Sequence, residues 1–249
     1  MRLQTSRVFW LLDRVVFLVF LSGAALSMVG CEHAIQEEAV SDVSTTDISS
    51  SDISSFFHSQ QKVVVTFVGY SGSGYEDQVA LLEEAERILD TFDPSHTIIN
   101  IGVTPDGIGA IYPMAKRKGF VTTGIVSTQA KKYEAATSPG VDHVFYVFDA
   151  TWGGFIEGSQ QLSPTSTVIV QHSDIMIGIG GGAVARDELI AAQRAVKEVR
   201  FIPADMHHDT AREKAQKKGQ PIPTTFAGAA HRVFGVFAEK TPPDNTTHE

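Results

Sequence analysis

The sequence predicts an α/β fold, namely an open, mostly parallel, Rossmann-like sheet with helices on both faces, in a single domain. Two observations carry this prediction. Short runs of β-branched and aromatic residues, typical of buried parallel strands, alternate with helical segments over residues 62–203. In addition, glycine clusters directly follow several of the strands, as they do in βα units that place backbone amides around a phosphate.

Six strands are predicted from these runs: Lys62–Val68, Thr97–Val103, Phe120–Val126, Asp142–Phe148, Ile175–Ile179 and Val199–Pro203. The helix after the first strand has one apolar stripe, formed by Val79, Leu82, Ala85, Ile88 and Leu89 at three- and four-residue spacing. Thr167–Gln171 is β-branched enough for a strand, but it occupies a helix position in the alternation, so both alternatives stay open. Pro221–Ala238 shows no clean period, and either an edge element or a cover for one side of the sheet fits it.

The N-terminal part of the chain is predicted to lie outside this domain. Three arginines precede the uncharged stretch Val15–Leu26, which has the length of a signal peptide core, and Gly30 and the single cysteine, Cys31, follow it. This resembles a bacterial lipoprotein signal over residues 1–30, with Cys31 as the lipidated residue. The alternatives are a plain signal anchor with an incidental cysteine, or a cytoplasmic protein with a misleading N-terminus.

Composition and location are interpreted together. Residues 31–61 are rich in Ser, Thr and Asp and predict a flexible tether, residues 62–240 form the predicted domain, and residues 241–249 form a predicted disordered tail. A lipid on Cys31 would anchor the protein to a membrane of the bacterial cell envelope, and Glu32 favours the periplasmic side of the outer membrane over the inner one. The net charge of −9 argues against a nucleic acid partner.

Three glycine clusters are the candidate ligand site. The predicted phosphate-binding residues are Gly69, Ser71, Gly72, Ser73, Gly74, Gly107, Gly109, Gly180, Gly181, Gly182 and Ala183. Glycine removes the Cβ atom that would keep a ligand from the backbone, and the helix that begins after Gly182 aims its free N–H groups and positive dipole end at an anion. The spacing is not G-x-G-x-x-G, and Asn100 stands where a dinucleotide-binding domain has an acid, which argues against an NAD(P) dehydrogenase.

Three segments are similar to the SLOG superfamily, which includes the LOG-type phosphoribohydrolases: VVVTFVGYSGSG, TPDGIGAIYPMAKRKGFVTTGIV and SDIMIGIGGGAVARDEL. The LOG enzymes carry a P-G-G-x-G-T-x-x-E signature. Gly181 and Gly182 match its first two glycines, and Glu188 falls on its acid. The resemblance implies a nucleotide-like ligand, a catalytic role for Glu188 and pairing of two copies into a homodimer.

The sequence also departs from the LOG pattern. Gly180 replaces the proline, Val184 the third glycine and Ala185 the threonine. The arginine of the family's M-x-x-R-K motif has no counterpart, because only Lys131 and Lys132 stand in the corresponding region.

The predicted function is therefore a membrane-tethered domain that binds a nucleotide or related phosphorylated small molecule, with N-glycosidic hydrolysis as its activity if it is an enzyme. The alternative is a non-catalytic binding or interaction lipoprotein of the cell envelope with a degenerate nucleotide site.

Two further residues each have two interpretations. Asp106 either contacts a sugar hydroxyl or belongs to a plain turn, and Trp152 either stacks on a base or packs as a lid. His207 and His208 are adjacent, so they do not face the same way, and no metal site is predicted. No cofactor is predicted either.

Overall fold

Seven parallel strands form the sheet in a computed structural model of the chain, which describes residues 44–46 and 50–238. The strands are β1 (Ser44–Thr46), β2 (Val63–Gly69), β3 (Thr97–Ile101), β4 (Val121–Ser127), β5 (His143–Val147), β6 (Ile175–Ile179) and β7 (Glu198–Ile202). Their order in the sheet is β1-β5-β4-β3-β2-β6-β7, and every neighbouring pair is parallel. The predicted open α/β fold is confirmed, with each predicted strand present within two residues at either end.

Helices cover both faces of this sheet. They are α1 (Ser50–Gln60), α2 (Gln78–Leu89), α3 (Ile111–Arg117), α4 (Gln129–Lys132), α5 (Pro164–His172), α6 (Ala183–Arg194), α7 (His208–Lys217) and α8 (Gly228–Ala238), with a 3-10 turn at Gly107–Ala110. One core layer packs α2 and α3 against the sheet, and the other packs α1, α5, α6 and α8 against the opposite face. In each βα unit, the loop and the N-terminus of the helix follow the carboxyl end of the strand, which is the edge where open α/β sheets bind ligands.

The order of the strands places the switch in chain direction at β2. From β2 the chain builds outward through β3, β4 and β5 on one side and through β6 and β7 on the other. The connections that leave β2 and β6 therefore diverge onto opposite faces of the sheet. This divergence opens a crevice beside the first glycine loop and the start of α6.

The flexible tether predicted for residues 31–61 is wrong where the structure describes it. Residues 44–46 form β1, which pairs with β5, and residues 50–60 form α1. The side chains of Ile53 and Phe57 are 0% and 7% exposed and belong to the core. The tether prediction rested on the Ser, Thr and Asp content and overlooked the aromatic residues. Phe57 lies four residues after Ile53, on the same face of α1, and its ring contacts those of Phe145 and His172.

Two ambiguous segments and one side chain are also resolved. Thr167–Gln171 lies within α5, and the last part of Pro221–Ala238 is α8, which packs against α6 and β7. Val79 is 66% exposed, and Leu81 takes the buried position on α2 instead.

In the described part of the chain, no helix combines the length and the apolar character needed to cross a bilayer. The predicted signal segment 1–30, Cys31 and the tail 241–249 lie outside the described residues.

Candidate functional site

A cavity of about 490 Å³ opens at the carboxyl ends of β2, β3 and β4, a volume within the range of small-molecule sites. Its walls come from the first glycine loop, from the segments after β3 and β4, and from α5 and α6. The residues that line it include Thr66, Gly69, Ser71, Asn100, Thr104, Asp106, Ile108, Ile125, Ser127, Ala130, Trp152, Thr165, Ile169, Val184, Ala185 and Glu188. Most of this lining is apolar, and the charged residues in it are Asp106 and Glu188.

Glu188 lies on the α6 side of this cavity and is 4% exposed. The Ser166 hydroxyl donates a hydrogen bond to its Oε1 at 2.6 Å. Burial raises the pKa of Glu188 to about 7, and the neighbouring Asp187 adds to that increase, while the Ser166 hydrogen bond opposes it. A carboxyl group with that pKa can give or take a proton near neutral pH, which is the property that the LOG resemblance implies for this position.

The loop after β5 is fixed to α5 and α6 by buried polar side chains. The backbone N–H of Gly154 donates to Ser166 Oγ at 2.7 Å, and that of Phe155 donates to Asp187 Oδ2 at 2.9 Å. Asp149 accepts from the backbone N–H of Thr165 at 2.9 Å. This loop carries Trp152, whose ring stacks on Tyr133 at 5.9 Å between centroids and lines the cavity mouth.

Gly180 and Gly181 do not line the cavity, contrary to the prediction of a bare phosphate-binding corner. Both are buried, with φ angles of +56° and +127° that disfavour other residues. A Cβ atom on Gly180 would lie 2.6 Å from the Tyr70 ring, and one on Gly181 would lie 2.6 Å from the Ala185 Cβ. These two glycines are therefore needed for close packing of the chain against Tyr70 and the first turn of α6.

Gly182 and Ala183 lie on the open side of the same turn. A Cβ atom on Gly182 would meet nothing within 4 Å, and Ala183 is exposed. Gly182 is the N-cap of α6 and no side chain caps this end of the helix. Neither Gly182 nor Ala183 is among the residues that line the cavity, and anion binding by the first-turn N–H groups of this 12-residue helix stays a prediction.

The first glycine loop contributes only part of its predicted residues. Gly69 and Ser71 line the cavity, whereas Gly72, Ser73 and Gly74 are absent from its lining. Ser73 instead accepts a hydrogen bond from Lys214 Nζ at 2.6 Å, on the side of α7. The loop is held down by Tyr75, whose hydroxyl donates to the Ile179 carbonyl at 2.7 Å and accepts from the Tyr70 N–H at 3.1 Å.

The second glycine cluster also has a packing role. Gly107 and Gly109 are buried against the backbone of Tyr70 and Thr104, and they are not among the residues that line the cavity. Asp106, between them and β3, does line it. The prediction that both glycines contact phosphate therefore has no support in the geometry.

Positive charge is missing from the described lining of the cavity. Lys131 Nζ lies 4.2 Å from the centroid of the Tyr146 ring, and Lys132 Nζ lies 5.2 Å from that of Tyr133. Neither lysine lines the cavity, so neither takes the place of the LOG arginine there. His207 caps α7 through Thr210, and His208 contacts Glu76 and Asp205. In the described ranges no group of three or more His, Cys, Asp and Glu side chains is arranged to hold a metal.

Sequence reasoning missed several polar residues of the cavity. Thr66 and Asn100 lie in strands that are otherwise apolar, and Thr165 lies in the first turn of α5, next to Ser166, which contacts Glu188. A signal for the first two was available, because a polar residue inside the buried runs VVVTFVG and TIINI requires a hydrogen-bond partner.

Several solved structures are similar to this chain. The molybdenum cofactor carrier protein of Chlamydomonas reinhardtii is 16% identical, with 72% of this chain and 99% of that chain covered and a TM-score of 0.42. The molybdenum cofactor binding protein of Rippkaea orientalis is 16% identical, with 72% and 96% covered and a TM-score of 0.42. DNA processing protein A of Streptococcus pneumoniae is 13% identical, with 67% and 60% covered and a TM-score of 0.41. No family model matches the chain, and no curated protein does.

Proposed function

We propose that this chain is a small-molecule binding protein whose ligand is a nucleoside or nucleotide. The observation that carries the proposal is the cavity between the Gly69–Ser71 backbone and the start of α6, with apolar walls and an aromatic side chain at its mouth. Apolar walls with a few convergent polar groups suit a flat, uncharged ring system. Trp152, half-exposed at the rim, supplies a surface on which such a ring stacks.

The first turn of α6 is the proposed position for a phosphate, if the ligand has one. Gly182 leaves the approach to this turn open, and the uncapped N–H groups with the helix dipole favour an anion. Because no lysine, arginine or histidine lines the described cavity, the helix start supplies the favourable electrostatics for that group. The phosphate therefore lies at the first turn of α6 and the ring system in the cavity.

Calorimetry with AMP and adenosine tests both parts of the proposal. Gly182→Asp places a carboxylate at the N-cap, and Gly182→Asn is its uncharged counterpart; both residues are favoured at N-caps, and space for a side chain is present. We expect Gly182→Asp to weaken AMP binding by about tenfold relative to Gly182→Asn, with adenosine affinity equal in the two variants. AMP affinity equal to that of the wild type in both variants would refute the phosphate position, and no binding of either compound to the wild type would refute the function.

A second candidate function, N-glycosidic hydrolysis, is favoured by the raised pKa of Glu188. In this reaction water adds to the sugar carbon, the bond between that carbon and the base breaks, and the base leaves with a proton. Glu188 would transfer the proton. Release of free base from AMP, followed by chromatography in wild type and Glu188→Gln, tests this activity. Binding without base release by the wild type would assign the site to a non-catalytic sensor or interaction module.

We also propose that Cys31 carries a lipid and anchors the protein in the bacterial cell envelope. The support is the sequence alone: a basic start, an uncharged stretch of signal-peptide length and Gly30 before the cysteine. Incorporation of labelled palmitate into wild type but not Cys31→Ser tests the anchor, and fractionation of the two membranes tests the outer-membrane location. The homodimer implied by the LOG resemblance stays a prediction, which light scattering of the purified protein tests.

A further inference from the structure

A line of buried side chains crosses the sheet beneath the cavity. Thr123 Oγ1 donates to Asn100 Oδ1 at 3.1 Å, and Asn100 Nδ2 donates to Thr66 Oγ1 at 3.2 Å. Thr66 Oγ1 lies 2.6 Å from Ser173 Oγ, which donates to the Ile169 carbonyl at 2.7 Å. The first three residues face one another at equal register on β4, β3 and β2.

This chain of hydrogen bonds fixes which way the Asn100 amide is turned. The Ser173 hydroxyl donates its only proton to the Ile169 carbonyl. The Thr66 hydroxyl must therefore be the donor in its hydrogen bond with Ser173. Thr66 can then only accept from Asn100, and the amide nitrogen must face Thr66. With the amide reversed, Asn100 would take the Thr66 proton, and either the 2.6 Å or the 2.7 Å oxygen–oxygen contact would lack a hydrogen.

Asn100 keeps half of its hydrogen-bonding capacity in this arrangement. An asparagine amide has two N–H donors and two carbonyl lone pairs, and the network uses one of each. Both bonds run along the sheet to neighbouring strands, while the side chain, 1% exposed, lines the cavity. One N–H and one lone pair of the amide are therefore not used by the network.

A second polar atom lies in the same cavity wall. Thr165 is 3% exposed and lines the cavity from α5, where its backbone N–H donates to Asp149 Oδ2 at 2.9 Å and its hydroxyl lies beside the same carboxylate. Buried polar groups are almost always paired, so an occupant that forms hydrogen bonds with the Asn100 amide binds more favourably than an apolar occupant of the same shape. With no cation in the described lining, this occupant is neutral at its inner end.

We propose that Asn100 determines ligand specificity by pairing with a neutral ring edge on which a donor stands beside an acceptor, as in a lactam or an amino-substituted ring nitrogen. This inference rests on the proposed function, since it assigns the inner end of the same site. The bidentate pairing of an asparagine amide with such an edge is a recurrent way to distinguish one heterocycle from another. Asn100 acts here as a specificity residue, and no step of catalysis is assigned to it.

Paired probes that differ only at this edge test the proposal in the full-length protein. Uridine is compared with N3-methyluridine, which blocks the lactam, and adenosine with purine riboside, which lacks the amino group. Calorimetry should show that the wild type binds the unblocked member of at least one pair about tenfold more tightly. Equal affinities within both pairs would overturn the assignment of Asn100 while leaving the proposed function intact. Absence of binding by all four nucleosides, and by AMP, would refute both.

Two variants attribute the selectivity to the amide. Asn100→Leu removes the amide that pairs with the ring edge of the ligand. The two members of the selective pair should therefore bind this variant with equal affinity. Thr123→Val breaks the same network from β4, outside the cavity lining, and should keep the selectivity because Thr66 still fixes the amide. Equal loss in both variants would mean general loosening of the sheet and would overturn the proposal. Asn100→Ser, with a smaller polar side chain, serves as the second test if circular dichroism shows that Asn100→Leu does not fold.

Discussion

Glu188 makes the stability of this protein depend on pH in a direction opposite to that of most carboxyl groups. Its pKa rises from an ordinary value of 4.5 to about 7 on folding, because the side chain is buried in the cavity wall beside Asp187. Below pH 4.5 the group is protonated in both states and the full stability is present. As pH rises from 4.5 through 7, the unfolded state loses its proton first, and the free energy of unfolding falls.

The size of the effect follows from the two pKa values. A change from 4.5 to about 7 corresponds to about 3 kcal/mol once the pH is well above 7. Between pH 5 and pH 8 the expected loss is about 2–3 kcal/mol, since part of the change has already occurred at pH 5. With a urea m-value of about 2 kcal/mol per molar, this loss shifts the unfolding midpoint by roughly 1 M.

Urea unfolding of wild type and Glu188→Gln at pH 5 and pH 8 measures this contribution. The glutamine does not titrate, and its carbonyl still accepts the Ser166 hydrogen bond, so the difference between the two proteins isolates the carboxyl group. Glu157→Gln, a substitution of an exposed glutamate, is the matched control and should follow the wild type. If wild type and Glu188→Gln keep a constant difference in midpoint from pH 5 to pH 8, the buried, raised-pKa description of Glu188 is incorrect.

Three further predictions concern packing and are measured as free energies of unfolding. Gly181→Ala should destabilise the fold by about 2 kcal/mol or more, because of its positive φ and its contact with α6, whereas Gly182→Ala should change it by less than about 0.5 kcal/mol; similar costs would contradict the packing role. Ile53→Ala should cost about 2–5 kcal/mol, and the exposed Ser55→Ala almost nothing; equal and small effects would mean that α1 does not stabilise the domain. Tyr75→Phe should cost about 1–3 kcal/mol because it leaves the Tyr70 N–H and the Ile179 carbonyl unpaired, and an unchanged stability would contradict that.

The central strands were predictable from sequence because burial on both faces of a parallel sheet leaves a continuous apolar run. The run Val63–Gly69 is buried except at its two ends, and Thr97–Ile101 is buried throughout. The elements that precede them carry no comparable signal. The helix at Ser50–Gln60 is serine-rich, and its few apolar residues become a core face only through contacts with Phe145 and His172, about ninety and more than a hundred residues away.

The site was predictable in location and only partly in detail. The sequence placed glycines at the ends of β2 and β6, and the cavity lies at this edge of the sheet. The sequence does not distinguish a glycine that lets a ligand approach the backbone from one that lets another part of the chain approach it, because both positions require the absence of a Cβ atom. For Gly180 the neighbour is Tyr70, and for Gly181 it is Ala185 in the first turn of α6.

Two tyrosines explain why the cavity lies on the β2–β4 side of the crevice. Tyr70 fills the space over Gly180, where its hydroxyl donates toward the carbonyl oxygens of Ala204 and Phe226 at 3.2 and 3.4 Å. Tyr75 pins the same loop to the end of β6, and burial raises the pKa of both phenols, so they stay neutral donors. Because this corner is occupied by the chain itself, the start of α6 is open only where a Cβ atom on Gly182 would meet nothing within 4 Å. The buried polar side chains that line the cavity therefore lie in the strands, in α5 and in α6, whereas Gly180 and Gly181 bring parts of the chain close together.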